Sequence, residues 1–551
     1  MSTPRELSFT IEGMPCDHCA PTLRAALERL PGVSEADVSY AERRATVRSD
    51  GNLPLAAVVS AAAAKGYTAT PRDAPSLPSP ARARSDGAFD LVIIGSGSAA
   101  FGAALRASEL GAKVAMVERG TLGGTCVNVG CVPSKTLIRA AEEMHRAAHP
   151  RFAGVSTRGR VEDFRSLMAE KQGLVEGLRT AKYADVLAAT PGVELVRGAA
   201  RFAGPGRVVV GGRELRAERF IVATGMRPHA ADFPGLADAG ALTSTEALAL
   251  ETLPRSMIVL GGRFIALELA QAFARLGTKV TVVQRSAHLL PTEDDDVTEE
   301  LERLLVTEGV GVLTGSRVLR VSRDGEDRVV EVERHGERLR LAAEQVLVAT
   351  GRRANTEDVG LESIGARLRP DGTIVVAETL ETTAPGVFAA GDVIGDPAFV
   401  YTAAYEGRLA AENALTTSKQ PRDYAALPAV VFTDPQLATV GLNEKQARTL
   451  SVEVDVAKLP FTHVPRALAA RDTRGFVKLL RAKGTERLVG AVILAPEAGD
   501  LIMEPALAIR HGIPVSALAR AFHPYLTNSE AIKLAAQAFD KDVARLSCCA
   551  A

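Results

Sequence analysis

One stretch of the chain reads Gly123-Gly124-Thr125-Cys126-Val127-Asn128-Val129-Gly130-Cys131-Val132-Pro133-Ser134-Lys135. Its two cysteines are five positions apart, at the start of a predicted helix. Two thiols at this spacing can close a disulfide, and a helix N-terminus stabilises a thiolate and lowers its pKa. Metal sites usually combine two cysteines separated by two to four residues with further ligands nearby, and this stretch has no such further ligands. The stretch therefore predicts a redox-active cysteine pair.

The remaining cysteines of the chain also occur in close pairs. There are six cysteines, and they pair as Cys16 with Cys19, Cys126 with Cys131, and Cys548 with Cys549. A single cysteine is more often a buried structural residue, but none is left over from these pairs. The pairing indicates a protein whose substrate or ligand binds two thiolates at once.

Length and charge exclude several classes of protein. The 551 residues allow three or four domains. Lys plus Arg total 65 and Asp plus Glu total 66, so the net charge predicts no binding to nucleic acid or anionic lipid. No apolar stretch reaches the ~18–20 residues that cross a bilayer, and the N-terminus lacks a signal pattern. We expect a cytoplasmic protein without a membrane span.

A nucleotide-binding motif lies upstream of the cysteine stretch 123–135. The apolar segment 89–94 predicts a buried parallel strand, and Gly95-Ser96-Gly97-Ser98-Ala99-Ala100 follows it. Gly95 and Gly97 suit the tight turn and the close approach of a pyrophosphate to a helix N-terminus. Glu118 ends the next predicted strand, where a carboxylate binds a ribose hydroxyl. These features predict a dinucleotide whose ribose carries no phosphate.

A second motif, Gly261-Gly262-Arg263-Phe264-Ile265-Ala266, follows another apolar strand at 257–260. It departs from the fingerprint because Arg263 replaces the second glycine. The next predicted strand, 279–283, ends in Gln284-Arg285 and not in an acid. A guanidinium can bind a 2′-phosphate that a carboxylate would repel. We therefore expect NADPH, with its 2′-phosphate bound by Arg285. A solvated arginine at a strand end is the alternative.

Residues 1–70 form a separate predicted module. The order of its elements is βαββαβ, as in a ferredoxin-like fold, and the polar, proline-rich segment 71–88 predicts a flexible linker. Its segment Gly13-Met14-Pro15-Cys16-Asp17-His18-Cys19 resembles the signature of heavy-metal-associated domains. The resemblance implies that Cys16 and Cys19 bind a soft cation, for which copper and mercury are both suitable.

The body of the chain, 89–551, resembles the pyridine nucleotide–disulfide oxidoreductases. The cysteine stretch carries the resemblance, and Ala223-Thr224-Gly225, Ala349-Thr350-Gly351-Arg352 and Phe388-Ala389-Ala390-Gly391-Asp392-Val393 support it. It implies an α/β fold with two Rossmann-like dinucleotide-binding domains and a C-terminal α+β dimerisation domain. The implied ranges are 89–240 and 358–425 for FAD binding, 241–357 for NADPH binding, and 426–551 for dimerisation.

The same resemblance implies roles for single residues. Cys131 would be the charge-transfer thiolate near the flavin, and Cys126 the thiol that exchanges with substrate. Lys135 would lie by the flavin ring, paired with Glu268. Phe264 would shield the flavin until nicotinamide enters. Further FAD contacts are expected at Ala100, Gly120, Thr125, Ala200, Asp392 and Val400.

Two C-terminal features bear on the substrate. Disulfide-reducing relatives have a His-Pro-x-x-x-Glu segment whose His–Glu pair protonates a leaving thiol; here His523-Pro524 is present, but Glu530 lies two positions too far along. In members that reduce Hg(II), a tyrosine matching Tyr525 helps to coordinate the metal. The end of the chain, Cys548-Cys549, resembles the tail with which those members transfer Hg(II) to the other subunit. Soft metals select sulfur ligands.

The resemblance therefore implies mercury detoxification: an NADPH-dependent enzyme that reduces Hg(II), delivered as thiol complexes, to volatile Hg(0). It further implies a homodimer whose active site lies at the subunit interface. Two alternatives stay open, an NADPH-dependent disulfide reductase of the dihydrolipoamide dehydrogenase type and a soft-metal carrier. An incidental frayed terminus and lipidation at the final cysteines are weaker interpretations of the tail.

Overall fold

The computed structural model describes residues 5–14, 19–40, 42–49, 53, 55–63, 65–71, 88–229 and 231–542. The chain forms two compact units, one within Met1–Asp86 and a body comprising Gly87–Ala414 and Ser418–Ala551. Within the described residues, no helix is both long and apolar enough to span a bilayer.

The N-terminal unit is a four-stranded antiparallel sheet with two helices, as the sequence predicts. Its elements are β1 (Arg5–Glu12), α1 (Cys19–Leu27), β2 (Val33–Ser39), β3 (Arg44–Ser49), α2 (Leu55–Ala63) and β4 (Thr68–Pro71). The strand order β2-β3-β1-β4 is that of the ferredoxin-like fold. Alternate residues Leu7, Phe9 and Ile11 of β1 are buried against Leu23 and Leu27 of α1, which gives the unit its own core.

Pro71, the first residue of the predicted linker 71–88, is the last residue of β4. Residues 72–87 of that linker lie outside the described residues, as do Cys16, Cys548 and Cys549. Cys19, the second cysteine of the metal-binding motif, is the first residue of α1.

The body opens with a mixed sheet and the helices around it. The elements are β5 (Phe89–Ile94), α3 (Ser98–Glu109), β6 (Val114–Glu118), α4 (Gly124–Val129), α5 (Cys131–Ala148), α6 (Phe164–Arg179), a π-helical turn (Thr180–Ala184), α7 (Asp185–Ala188), β7 (Val193–Arg197), β8 (Ala200–Phe202), β9 (Arg207–Val210), β10 (Arg213–Val222), β11 (Met226–Pro228), α8 (Leu236–Ala239) and α9 (Ser244–Ala247). The strand order is β7-β6-β5-β10-β9-β8. Strands β5 to β7 and β10 are parallel, whereas β8 and β9 are antiparallel.

A second nucleotide-binding unit follows, built on the parallel sheet β14-β13-β12-β18. Its elements are β12 (Ser256–Leu260), α10 (Phe264–Leu276), β13 (Lys279–Val283), α11 (Asp295–Thr307), β14 (Gly311–Leu313), β15 (Ser316–Asp324), β16 (Asp327–Arg334), β17 (Glu337–Ala343), β18 (Gln345–Val348) and β19 (Arg352–Ala354). Strands β15 to β17 form a separate antiparallel sheet, and β19 pairs with β11.

The chain then returns to the first sheet, where a short strand pairs in parallel with β10. The elements are a 3-10 turn (Leu361–Ile364), β20 (Val387–Ala389), a 3-10 turn (Asp392–Ile394) and α12 (Val400–Leu415). Helix α12 packs on α3 at very short range, because a Cβ on Gly407 would lie 1.9 Å from the carbonyl oxygen of Ala99. Such an approach is open only to glycine.

A five-stranded antiparallel sheet, β21-β22-β25-β24-β23, organises the C-terminal part. Its elements are β21 (Pro428–Val431), β22 (Gln436–Gly441), α13 (Glu444–Thr449), β23 (Val454–Pro460), a 3-10 turn (Phe461–His463), α14 (Pro465–Ala470), β24 (Phe476–Ala482), β25 (Leu488–Ala495), α15 (Ala498–Leu501), α16 (Met503–His511), α17 (Val515–Arg520) and α18 (Glu530–Gln537). A mixed sheet with parallel central strands and a second, parallel sheet, followed by an α+β part, confirm the predicted fold class.

Candidate functional site

The redox cysteines lie on two consecutive helices. Cys126 is within the short helix α4, and Cys131 is the first residue of the eighteen-residue helix α5. Gly130 separates the helices, and a Cβ there would lie 2.9 Å from the carbonyl oxygen of Thr125. Both cysteines are half-buried thiols, and their sulfur atoms are hydrogen-bonded to each other. The prediction of a helix N-terminus is therefore correct for Cys131, whereas Cys126 precedes the helix break.

The two thiols have different acidities. The hydrogen bond from the Cys126 thiol, together with the charge of Lys135, lowers the pKa of Cys131 to about 7. The same hydrogen bond and burial raise the pKa of Cys126 above its usual value. The position of Cys131 at the helix N-terminus favours the same ionisation. Near neutral pH, one sulfur is thus a thiolate and its neighbour a thiol.

A partly buried ion pair lies beside the cysteines. Lys135 Nζ is 2.7 Å from Glu268 Oε2, so the pairing predicted from the sequence is present. The other carboxylate oxygen of Glu268 accepts a hydrogen bond from the Phe432 backbone nitrogen at 3.0 Å. Lys135 also lies over the Phe432 ring, 4.6 Å from its centroid. The pair therefore connects α5, α10 and the start of the C-terminal sheet.

Two tyrosines that the sequence analysis did not select lie near the sulfur atoms. Burial and the negative charge of Cys131 raise the pKa of Tyr401 to about 12. Burial is the main cause that raises the pKa of Tyr183, and the neighbouring cysteines add to it. Tyr183 is in the π-helical turn and packs on Gly123 of the cysteine stretch. Both phenols are therefore neutral near pH 7, and the Tyr401 hydroxyl donates its hydrogen bond to the Pro428 carbonyl oxygen.

The first glycine motif forms a cradle in which the backbone of the turn is not covered by side chains. Gly95 has φ +119°, and a Cβ there would lie 2.3 Å from the Ala223 carbonyl oxygen. A Cβ on Gly124 would lie 2.5 Å from the Cα of Gly97, so the nucleotide motif and the cysteine stretch meet backbone to backbone. Glu118 ends β6 and accepts hydrogen bonds from Ser96 Oγ and the Gly120 backbone nitrogen, both at 2.5 Å. This cradle fits a dinucleotide such as FAD.

The other predicted FAD contacts are distributed over the same domain. Ala100 is buried in α3, Thr125 is exposed on α4, Ala200 begins β8, and Val400 begins α12. Asp392 is bound by Arg352, whose Nη1 donates to Asp392 Oδ2 at 2.5 Å. The contacts of these residues with FAD stay predictions.

The second motif repeats the geometry of the first. Gly261 has φ +120°, and a Cβ there would lie 2.5 Å from the Ala349 carbonyl oxygen, the counterpart of Ala223. Arg263 has extended backbone angles, φ −107° and ψ −173°, which any residue can adopt. Replacement of the second glycine is therefore compatible with the turn. The cradle fits a pyridine nucleotide at the N-terminus of α10.

Phe264 of the second motif and Arg285, which follows β13, are the two other residues predicted to bind NADPH. Phe264 begins α10, and its ring centroid is 6.1 Å from that of Phe399, which stacks on Tyr401 at 5.2 Å. Arg285 is exposed just after β13. Its binding of the 2′-phosphate of NADPH stays a prediction.

The C-terminal segment gives His523 a carboxylate partner that the sequence did not indicate. His523 Nε2 lies 3.0 and 3.1 Å from the two oxygens of Glu504, on α16. Glu530 instead accepts the Leu526 backbone N–H at 2.8 Å. Tyr525 is 60% exposed between these two anchors. Cys548 and Cys549 lie outside the described residues.

Three carboxylates are spaced like the ligands of a metal ion, but they surround a lysine. Asp294, Asp296 and Glu444 converge. The buried Lys478 Nζ lies between them, 2.7 to 2.9 Å from an oxygen of each. The cluster is an ion-pair network that joins the second nucleotide-binding unit to the C-terminal part.

Comparison with known proteins gives matches over the whole chain. The family model for pyridine nucleotide-disulphide oxidoreductases matches residues 89–407, and that of their dimerisation domain matches 427–536. The model for heavy-metal-associated domains matches residues 8–68. A mercuric reductase of Shigella flexneri is 44% identical over 98% of this chain and 100% of its own length. One of Staphylococcus aureus is 41% identical over 100% of both chains.

Solved structures resemble the larger part of the chain. The HOCl-induced flavoprotein disulfide reductase RclA of Escherichia coli, as its Cu(II) complex, is 30% identical. It has a TM-score of 0.74 and covers 82% of this chain and 99% of its own. LpdA of Mycobacterium tuberculosis is 29% identical, with a TM-score of 0.72 over 81% of this chain and 98% of its own.

Proposed function

This chain belongs to the pyridine nucleotide-disulphide oxidoreductase family, and from that premise we propose that it reduces thiolate-bound Hg(II) to elemental mercury with NADPH. The observation that carries the proposal is the redox pair, in which Cys131 has a pKa of about 7 beside the Cys126 thiol. Soft cations select sulfur, and Hg(II) favours two thiolates. The full-length similarity to mercuric reductases supports this choice of substrate.

The cysteine pair would bind Hg(II) by two successive exchanges. The Cys131 thiolate bonds to Hg(II), and one of the two thiolates that brought the metal leaves. The Cys126 proton passes to that departing thiolate, and the Cys126 sulfur then displaces the second one. Hg(II) is now held by Cys126 and Cys131, with one thiol and one thiolate released. Tyr183 and Tyr401 stay neutral beside these sulfurs, so they add no negative charge that would oppose the Cys131 thiolate.

FAD would be held by the first cradle and NADPH by the second. The residues for FAD are Gly95, Gly97, Ala100, Glu118, Gly120, Thr125, Ala200, Asp392 and Val400. Those for NADPH are Gly261, Phe264 and Arg285. When bound, the two cofactors supply two electrons, so that one NADPH, one proton and one Hg(II) dithiolate become NADP⁺, Hg(0) and two thiols. The Lys135–Glu268 pair places a fixed cation beside Cys131 and the first cradle.

The preference for NADPH over NADH rests on the end of β13. Val283 is followed by Gln284 and the exposed Arg285, with no carboxylate at the position that would repel a 2′-phosphate. A guanidinium can bind that phosphate through two parallel hydrogen bonds. NADPH is a cytoplasmic reductant, so we place the reaction in the cytoplasm, where the six cysteines also stay reduced.

The active site is proposed to be completed by a second copy of the chain. A match to the family's dimerisation domain at 427–536 supports a homodimer. In such a dimer, Tyr525, Cys548 and Cys549 would act at the redox pair of the partner subunit, receiving Hg(II)–thiol complexes and passing the metal on. Cys16 and Cys19 of the N-terminal unit would collect Hg(II) before that transfer.

The geometry gives no support to disulfide reduction as the main activity. That reaction needs a group that protonates the leaving thiol. His523 is the candidate, but its side chain is only 6% exposed and both ring nitrogens face acceptors of its own chain. Reduction of Hg(II) needs no such proton at the metal.

The proposal is tested by turnover of the purified, flavin-loaded protein with NADPH and an excess of a small thiol. We expect NADPH oxidation only after Hg(II) is added, with one mercury atom released as vapour per NADPH. Faster turnover with oxidised glutathione or lipoamide would favour a disulfide reductase. Stoichiometric binding of Hg(II) without any NADPH oxidation would favour a metal carrier.

A further inference from the structure

The segment between α17 and α18, residues 521–529, has an unusual distribution of exposed and buried side chains. Phe522 is fully exposed, and Tyr525 and Leu526 are 60% and 44% exposed. The side chain of His523 is only 6% exposed. The segment therefore turns one polar side chain inward and displays aromatic and aliphatic groups outward.

His523 is held by acceptors on both sides of its ring. Nε2 is bound by both oxygens of Glu504, and Nδ1 lies 3.3 Å from the carbonyl oxygen of Ala521. A carboxylate can only accept, so Nε2 is the donor in the bond to Glu504. Nε2 faces Glu504 and Nδ1 faces the backbone of its own chain, so neither nitrogen points to open solvent. The pair thus holds the segment in place.

A second carboxylate fixes the other side of the tyrosine. Glu530 Oε2 accepts the Leu526 backbone N–H at 2.8 Å, and Leu526 has φ +62°, a conformation that branched side chains seldom adopt. Thr527 Oγ1 donates to the Pro524 carbonyl oxygen at 2.8 Å. Tyr525 therefore lies between two anchored positions, which fixes its backbone while its ring is displayed.

We infer that Glu504 is a positioning residue for Tyr525, acting through His523. It fixes the 521–527 segment so that the Tyr525 hydroxyl meets thiolate-bound Hg(II) at the partner subunit's redox pair. This inference rests on the proposed function, because it takes Tyr525 to contact the metal. In the disulfide-reducing relatives a His–Glu pair acts as acid and base. In this chain the His523–Glu504 pair has the positioning role in its place.

The inference is tested by a double-mutant cycle on the holoenzyme, with Hg(II) presented in excess cysteine. We expect Glu504→Ala and Tyr525→Phe each to raise KM for Hg(II) about five- to tenfold, with kcat within about twofold. Because Glu504 acts through Tyr525, the double variant should be no worse than Tyr525→Phe alone. Additive losses in the double variant would overturn the inference.

Conservative variants separate positioning from acid–base chemistry and from instability. Glu504→Gln still accepts the hydrogen bond from His523, and His523→Gln still donates to Glu504, so both should retain a KM within about twofold of the parent. Asp500→Asn removes a charge from an exposed position on the preceding helix and is the matched control. Bound-flavin absorbance and the thermal midpoint report folding for every variant.

The outcomes distinguish the two proposals. A parent protein that shows no Hg(II)-dependent NADPH oxidation contradicts the proposed function itself. A parent that turns over while Tyr525→Phe is unimpaired contradicts only the positioning inference. A turnover of oxidised glutathione that is lost in His523→Gln would mean that the pair is an acid–base group, which also overturns the inference.

Discussion

Cys131 owes its ionisation to contributions of opposite sign from its neighbours. The Cys126 thiol and the Lys135 ammonium lower its pKa, whereas burial and the Glu268 carboxylate raise it. The Lys135–Glu268 pair therefore affects the sulfur through both of its members. Because the balance lies near pH 7, a change in either charge should move the thiolate population in a measurable way.

Substitution at the two charges should shift the pKa of Cys131 in opposite directions. Lys135→Met removes the favourable cation, so the pKa rises from about 7 towards its usual value and less thiolate is present at neutral pH. Glu268→Gln removes a repelling anion, so the pKa falls. The measurement is the pH dependence of iodoacetamide alkylation of Cys131 in NADPH-reduced protein, followed by peptide mass spectrometry.

Lys483→Met, at an exposed and distant lysine, is the control for a change of net charge. Its alkylation profile should coincide with that of the parent. If the Lys135 and Glu268 variants moved the profile in the same direction, the electrostatic account of Cys131 would be wrong.

The redox cysteines and the Lys135–Glu268 pair could be predicted because they lie in short motifs. Tyr183, Tyr401 and Glu504 could not. Tyr183 is placed by a π-helical turn, which has no reliable sequence pattern, and Tyr401 is brought to Cys131 from 270 positions away. Glu504 could not be predicted because the family motif places the carboxylate partner of His523 downstream of it, whereas the partner lies upstream on α16.

At the scale of elements, the strand–turn–helix units that hold the nucleotides could be predicted because their signals are local. An apolar strand, a glycine turn and a helix follow one another within a few residues at both 89–100 and 257–266. The packing of α12 on α3 could not, because it joins segments about 300 residues apart through Gly407 and Gly102.

Alanine substitutions at two helical glycines should separate packing from helix propensity. A Cβ on Gly407 would lie 1.9 Å from the Ala99 backbone, whereas one on Gly173 in α6 has nothing within 4 Å. We expect Gly407→Ala to destabilise the body by roughly 2 kcal/mol or more and to weaken flavin retention. Gly173→Ala should be neutral or stabilising by up to about 1 kcal/mol. Thermal unfolding and flavin release measure both, and equal effects would contradict the packing described for α12.

At the scale of the whole molecule, charges buried between domains hold the body together. Arg275 of α10 is bound by Glu308 and by Asp434 of the C-terminal part, at 2.6 and 2.8 Å. Lys478 makes the same kind of connection to Asp294 and Asp296. The sequence contains these charges but does not indicate their partners across the domain boundary, Asp434 for Arg275 and Asp294 and Asp296 for Lys478, which are more than a hundred positions away. Domain order was predictable, whereas the connections between the domains were not.

The N-terminal unit has a core of its own, centred on Phe9, Ile11, Leu23 and Leu27. The redox pair and both nucleotide cradles lie entirely in the body. Chemistry at Cys126 and Cys131 should therefore be independent of the unit, and only the capture of scarce Hg(II) should depend on it. Deletion of residues 1–87 should leave kcat and KM for Hg(II) in excess cysteine within about twofold of the parent, since no catalytic contact is removed.

The matched control is the full-length Cys16→Ala/Cys19→Ala variant, which keeps the unit but removes its thiolates. Truncated and double-alanine proteins should behave alike in steady-state assays. Both should transfer Hg(II) more slowly than the parent when it is presented on a bulky protein thiol, because the proposed collection of the metal by Cys16 and Cys19 is lost. A tenfold or larger fall in kcat on truncation, with small thiols in excess, would mean that the N-terminal unit contributes to the active site itself.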